Sequence, residues 1–519
     1  MRNCIAFVNG TVVTMDTIPV CESILIEKGA IAARGTEEEI RGLCRSRGGR
    51  LFDLNGCALL PGFHDCHVHM MGTGLNASGI ELYDCRSIDE VLQKIEEAAA
   101  QTPEDRWIYG TRIDESRLQE SRPPTADELD QVALNHPVYI VDRGWHYALV
   151  NSRGFEKLDL SPDVPGVRTD SDGTVTGRLH EEANSQAKMA FFQSQSREER
   201  EAALRTTARI AVRAGATTIN AVEGGELFAD SDIPILLEIK DDLPVNVVLW
   251  WCTEDIEQIK AAGLPRQGED ILLDGSIGSR TAAFEQPYND DPSTSGDLYY
   301  SDAEVEAMVR AAHLADVQIS FHAIGELAIE QALNAFESVL SDHPKADHRH
   351  CIDHFGFPRP EHIEKAAELD VYISTQPAFM FFRGGPDDVY TRRLGDERAR
   401  RGYPLRKFLD AGITVGGGSD SDVTPLDPLL SIHAAVNQPY PETSVTVEEA
   451  LRMHTVDAAK RVFLEHETGS IEPGKAADLV VLSRNPLEAP EDGLRDIDVV
   501  LTMKGGTITY EKEGVITKA

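Results

Sequence analysis

The chain has 519 residues, and 50 Lys+Arg against 87 Asp+Glu give a formal net charge of −37. Its composition, 41% hydrophobic and 26% charged, is globular and excludes a disordered or fibrous chain. The charge also argues against nucleic acid and anionic membrane surfaces as partners, since both repel an acidic surface.

The length leaves room for one large α/β barrel with insertions and a small satellite, or for three compact domains. Cysteines at 4, 21, 44, 57, 66, 85, 252 and 351 contain no CxxC pair, so neither a disulfide scaffold nor a structural zinc site is expected. The opening MRNCIAFVNGTVVTMD alternates like a strand and lacks the apolar core of a signal peptide. No stretch approaches about 20 uninterrupted apolar residues. A cytoplasmic location is the resulting expectation.

In chain order, residues 1–60 carry short β runs punctuated by Asn9-Gly10 and Lys28-Gly29 hairpin signals. The same texture returns in Asp478–Leu482, Val499–Thr502 and Lys504–Tyr510. Residues 1–60 with 466–519 therefore read as one β-sandwich domain built from both termini. Between them, short apolar runs alternate with helical stretches, the pattern of βα units around a parallel sheet. Eight candidate strands end at Phe63, Asn220, Trp251, Asp274, His322, His354, Gln376 and Asp420. They predict an α/β fold with a (β/α)8 TIM barrel over 61–465, its active site at the strand C-terminal ends. The stretch from about 75 to 180 is too long for one βα loop and reads as an insertion after the first strand that covers the barrel mouth.

The most informative segment is Leu59-Leu60-Pro61-Gly62-Phe63-His64-Asp65-Cys66-His67-Val68-His69. Residues i and i+2 of a strand share a face, so His67 and His69 can grip one ion. Imidazole suits zinc, iron, nickel or copper. No GxSxG elbow accompanies Ser276 or Ser279, which argues against a serine nucleophile.

Over nearly its whole length the sequence resembles the metal-dependent amidohydrolase superfamily, in its amidohydrolase 3 branch of YtcJ-like proteins. The resemblance is carried by PGFHDCHVHM, WHYALVNSRGF, GRLHEEA, DGSIGSRTAAFEQPY, SFHAIGELAI, DHF, STQPAF, GGGSD and GSIEPGKAADLVVLSRNP. It implies hydrolysis of non-peptide C–N bonds (an amide, N-acyl or N-formyl amine) with one or two divalent ions, zinc being the expected metal. It matches His67, His69, His322, His354 and Asp420 to metal ligands, and Asp420 also to the acceptor of the attacking water's proton. Glu181, or by a register shift His180 or Glu182, falls where relatives carry a glutamate suited to bridging two ions. His146 and Arg280 are candidate carbonyl or oxyanion donors.

Three departures stand out. Asp270 lies where relatives often carry lysine, and no lysine ends a candidate barrel strand, so the carboxylated-lysine bridge common in the superfamily has no counterpart. Asn220-Ala221-Val222-Glu223 replaces a His-Asp pair, and Asp353 precedes His354 where Glu is commoner. Two alternatives stay open: a deaminase or cyclic-amide hydrolase on the same barrel, and a non-catalytic metal-binding regulatory protein. The expected substrate is a small uncharged amide with an apolar group, received by Gln376–Phe382 and by Trp145 and Tyr147. Arg280 and Arg383 are placed to take a carboxylate if there is one. A homodimer is the family-based expectation.

Overall fold

The computed structural model describes residues 4–142, 147–225 and 229–518. Eight parallel strands form one sheet in sequential order: β1 (Phe63–Val68), β2 (Ala216–Glu223), β3 (Asn246–Trp251), β4 (Arg266–Leu272), β5 (Gln318–Ala323), β6 (Cys351–His354), β7 (Tyr372–Thr375) and β8 (Val415–Gly417). The sheet curls until its last strand meets its first. Just past β8, Asp420 N–H donates to His67 O (2.9 Å) and His69 N–H donates to Ser421 O (2.7 Å). This is the barrel expected from the sequence, with one correction: the apolar run Ala58–Pro61 belongs to the terminal sheets, β1 is the stretch after it, on to Val68, and β2 runs past Asn220 to Glu223. Both continue because their polar residues point into a barrel interior, where a side chain such as Asn220 finds partners in Asp65 O and Trp250 Nε1.

The two chain ends build two facing sheets. One orders Thr517–Lys518, Arg50–Asp53, Cys4–Val8, Ser23–Glu27 and Ala30–Gly35; the other orders Thr507–Glu511, Val499–Lys504, Leu479–Leu482, Ala58–Pro61, Thr11–Val13 and Val20–Cys21. Ile5, Phe7 and Ile24 from the first share a buried core with Leu59, Leu479 and Val481 from the second. Alternation along each strand sends one set of side chains inward, which is what a sandwich requires. Asn9 (φ 59°) and Lys28 (φ 53°) occupy the left-handed turn positions that the hairpin signals require.

Chain contacts separate two compact units. Met1–Met70, Thr207–Gly225 and Leu236–Ala519 hold the barrel and both sandwich sheets; Met71–Thr206 with Glu226–Ile235 forms the other. The second unit is a six-stranded sheet ordered Val167–Thr169, Val175–His180, Tyr147–Val150, Val138–Asp142, Ile108–Ile113 and Ile80–Glu81, packed with helices such as Ile88–Ala99 and Ala126–Ala133. It leaves the barrel after β1 and is wider than the 75–180 stretch. All eight cysteines are free thiols. No helix of the described residues is long and apolar enough to cross a membrane.

Gly418 sits at the seam of the barrel. A Cβ there would come 2.8 Å from His67 N and 3.3 Å from Asp65 Oδ1. Gly418→Ala is therefore expected to destabilise the fold by about 1–3 kcal/mol, the usual cost of overpacking. Gly42 lies in the helix Glu37–Ser46, and a methyl group added to it would meet nothing within 4 Å. Gly42→Ala should therefore be neutral or stabilising. Denaturation midpoints of the two variants check the contrast.

Candidate metal centre

The barrel mouth gathers His67, His69, His322, His354 and Asp420, which the sequence assigns to one site, and adds Asp270. His67 and Val68 close β1 and His69 follows; His322 and His354 come from the ends of β5 and β6; Asp420 lies three residues past β8. Two buried triads result, each with ligand-type atoms mutually within 4.8 Å: His67, His69 and Asp420, and Asp270, His322 and His354.

The orientation of the rings is what suits these groups to cations. Nε2 of His67 and Nε2 of His69 face each other at 3.4 Å, and Nε2 of His354 faces Nδ1 of His322 at 2.9 Å. The far nitrogens are held from behind. His67 Nδ1 lies 3.2 Å from Asp353 Oδ1, His69 Nδ1 3.2 Å from Val222 O, and His354 Nδ1 2.6 Å from Gln376 Oε1. Such outer partners fix tautomer and ring orientation and raise ligand basicity. Asp353 in turn accepts from Ser320 Oγ at 2.9 Å.

Asp270 spans both triads. Its Oδ2 lies 3.4 Å from His69 Nε2 and 3.9 Å from His67 Nε2, while its Oδ1 lies 3.4 Å from His322 Nδ1. Oδ1 of Asp270 and Oδ1 of Asp420 are buried and make no well-formed hydrogen bond; imidazole nitrogens are what approach them. Buried carboxylate oxygens left open beside four imidazole nitrogens fit one or two divalent ions, in a donor set of nitrogen and oxygen only.

The electrostatics agree. Burial opposes charge on His69, but Asp420 and Asp270 outweigh it and push the imidazole up to about 10. Burial also opposes ionisation of Asp420, yet His67 and His69 hold its carboxyl down at about 2. Asp270 is lowered against burial in the same way, with its His322 contact foremost. At His354 burial dominates, helped by His322, and the ring falls to about 3. The centre thus keeps two carboxylates ionised and draws positive charge to itself.

The backbone is strained where it delivers these groups. Glu269 (φ 73°), His354 (φ 65°) and Asp420 (φ 52°) are non-glycine residues in the left-handed region, a conformation that costs energy and recurs at functional sites. Around Glu269 the pairing of β4 with β5 jumps from Gly268 opposite Ser320 to Leu272 opposite His322. Four steps on β4 match two on β5, so the side chains of Glu269 and Asp270, neighbours in sequence, are both buried.

The remaining candidates are carried by other segments. Glu181 is exposed and opens the helix Glu181–Gln193 of the second compact unit, with a φ of 49°. Arg280 is held by Asp290, at 3.0 Å, in the segment after β4. His146 and Trp145 lie outside the described residues. In the helix Pro377–Arg383, Phe379 and Met380 are buried in a cluster with Phe357, Tyr390 and Tyr403, while Phe382 is exposed. The Asp of the DGS block, Asp274, is a clamp: it accepts from Ala283 N, Ile324 N and Gly325 N at 2.7–2.9 Å and so fixes the loops after β4 and β5.

A (β/α)8 barrel with paired histidine–carboxylate triads at its mouth is suited to hold divalent metal. Residues 50–510 match the model of the amidohydrolase family, and the chain belongs to that family. It is similar to "Putative amidohydrolase YtcJ" of Bacillus subtilis, 29% identical over 95% of this chain and 96% of the relative. It is also similar to N-substituted formamide deformylase of Arthrobacter pascens, 26% identical over 98% of each chain. An uncharacterized metal-dependent hydrolase from Pyrococcus furiosus has the same fold, with a TM-score of 0.81 and 26% identity, covering 93% of this chain and 100% of that one. The protein is a hydrolytic enzyme acting on carbon–nitrogen bonds other than peptide bonds.

If Asp270 serves both triads, its loss should be felt by both. His67→Ala is expected to lose at least one ion on dialysis, and Asp270→Asn to lower the affinity for both by more than the 10–100-fold typical of outer-shell changes. Metal analysis by mass spectrometry after dialysis against a graded chelator checks this; full occupancy in either variant contradicts it.

Proposed function

We propose that the enzyme hydrolyses a small amide, an N-acyl or N-formyl amine carrying an apolar group, with metal-activated water and Asp420 as general base. The observation that carries this reading is the carboxylate of Asp420, 3.0 Å from His69 Nε2 and 3.6 Å from His67 Nε2, at the edge of an imidazole cluster whose other nitrogens are already engaged. His67, His69 and Asp420 would hold one ion, His322 and His354 a second, and Asp270 would bridge them in the role that the sequence resemblance gives to Glu181. The nitrogen–carboxylate donor set makes Zn2+ the proposed metal.

A divalent cation bound there supplies Lewis-acid polarisation of the carbonyl and lowers the pKa of water from 15.7 to about 7. Asp420 accepts the attacking water's proton as the C–O bond forms. It then returns a proton to the nitrogen as the C–N bond breaks, releasing a carboxylic acid and an amine. The carboxylate is ionised, so it has an oxygen to take up the proton. Asp353, Val222 O and Gln376 keep the histidine rings from turning, so the site does not reorganise during the reaction. Support for an amide comes from the family and from the deformylase among its relatives.

Asp420→Asn keeps the shape but cannot take the proton. It should retain at least one ion and lose about 10²–10⁴ in kcat, measured as amine release from N-formyl and N-acetyl benzylamine. Near-normal kcat would move proton transfer to another group. Ammonia release instead of amine release would favour a deaminase.

A further inference from the structure

The other end of the barrel, where its strands begin, carries a cavity of about 590 Å3, inside the usual range for a small-molecule site, about 300–1,000 Å3. Asn246, the first residue of β3, and Arg266, the first residue of β4, line it together with Asp478 and Lys504 of the terminal β-sandwich. The candidate metal ligands of β1, β5 and β6 lie at the opposite strand ends, so this cavity is separate from the metal centre.

Arg266 brings an uncompensated charge to it. Its Nη2 donates to Val462 O, its Nε is buried without an acceptor, and no carboxylate of the described residues lies within ion-pair distance. The buried arginines Arg200, Arg349 and Arg461 each have one, in Asp232, in Asp347 with Glu465, and in Glu269. Two guanidinium groups share one indole, since Arg461 lies 5.1 Å and Arg266 5.9 Å from the Trp250 ring centroid. Only the first is paired. Burial pushes the Arg266 guanidinium down to about 10, which still leaves it charged at neutral pH. A charge withdrawn from water costs stability unless it is paired, and an anion in the cavity would pair it.

A second cation lines the same space. Lys504 Nζ donates to Leu243 O at 2.9 Å and to Val245 O at 3.1 Å, which leaves the third N–H of the ammonium to spare. The acids of the lining do not cancel these charges. Asp478 accepts from Gly505 N–H at 2.6 Å and from Asn246 Nδ2 at 2.7 Å, and Glu467 is exposed. Lys240, the other lysine of the lining, is held by Asp241 at 3.0 Å. Val247, Leu264 and Leu464 add apolar surface. A guanidinium fork and an ammonium suit the oxygens of a phosphate or carboxylate, and the apolar residues suit a body behind that charge.

We propose that Arg266 and Lys504 form a binding site for a small organic oxyanion, a phosphate monoester or a carboxylate with an apolar body, at the junction of barrel and sandwich. Such a ligand joins the start of β4, the strand that carries Asp270, to the sandwich strand Val499–Lys504. The site is independent of the hydrolysis reading, because a molecule bound there takes no part in the reaction.

The test titrates the metal-loaded enzyme calorimetrically with phenyl phosphate, benzoate, inorganic phosphate and benzyl alcohol. Wild type should bind phenyl phosphate or benzoate about 10- to 100-fold more tightly than benzyl alcohol, the range for a charge-assisted hydrogen bond. The tighter of the two names the head group. Arg266→Gln and Lys504→Gln should each weaken that binding about tenfold. No anion bound at millimolar concentration, or binding unchanged in either variant, overturns the proposal. Inorganic phosphate bound as tightly as phenyl phosphate overturns the apolar body. Hydrogen exchange on the wild type decides the matter if the variants fail to fold. Protection by the bound anion should fall on residues 243–250 and 503–506, around the cavity; protection at 67–69 and 418–422, around the metal centre, refutes it.

Discussion

The molecule is organised around two buried carboxylates at one end of its barrel. The side chains of Asp270 and Asp420 are 5% and 8% exposed, and an uncompensated charge in such a place costs several kcal/mol. The compensation available is imidazole on every side, from strands β1, β5 and β6. Those rings cannot neutralise two carboxylates and also remain uncharged ligands. Protonation of His69 is one answer, and it is the one its raised pKa expresses. Divalent ions are the other, because they satisfy the carboxylates and leave the imidazoles neutral. Charge balance thus admits either answer, and only the second leaves neutral imidazoles able to act as ligands.

That cluster dictates what lies beneath it. His67 must present Nε2 to the centre, so Nδ1 is tied to Asp353, which Ser320 also engages. A second buried acid, Glu269, lies close to His67 and Asp353. The fully buried Arg461, from the helix Val456–Arg461 that follows β8 in the chain, contacts Glu269 and lies 4.0 Å from Asp353 Oδ2. One cation shared between two interior carboxylates keeps the layer under the metal centre from repelling it. The barrel seam serves the same end: the hydrogen bonds joining His67 O to Asp420 N and Ser421 O to His69 N lock the ligands of one triad to each other. Closing the fold and building the site are a single set of contacts.

Much of this is legible in the sequence, for identifiable reasons. His67 and His69 can be read because a period of two places them on one face. His322, His354 and Asp420 can be read because each ends a short apolar run. Asp270 is visible there only as a departure from relatives, and it reads as the loss of a bridge. A regular strand sends Glu269 and Asp270 to opposite faces, and nothing in Gly268-Glu269-Asp270 announces the bulge that turns both inward. The aromatic run after β7 is harder to assign for a related reason. Its hydrophobicity is real, but Phe379 and Met380 spend it on packing, and pattern alone cannot separate a wall that faces substrate from one that faces core.

The placing of Asp270 also has a structural logic. Aspartate carries its carboxylate on one methylene, so the backbone must supply the reach. The β4 bulge is that backbone movement: two extra residues opposite β5 and a left-handed Glu269 advance the chain until both oxygens of Asp270 face histidines of different triads. A bulge at the rim of a barrel re-aims a side chain at the expense of ladder hydrogen bonds. Here the compensation comes from the interior acid that the same bulge turns inward, since Glu269 meets Arg461 and anchors the displaced strand from below. Asp270, the left-handed Glu269 and the buried Arg461 are thus linked through one bulge and one set of interior contacts.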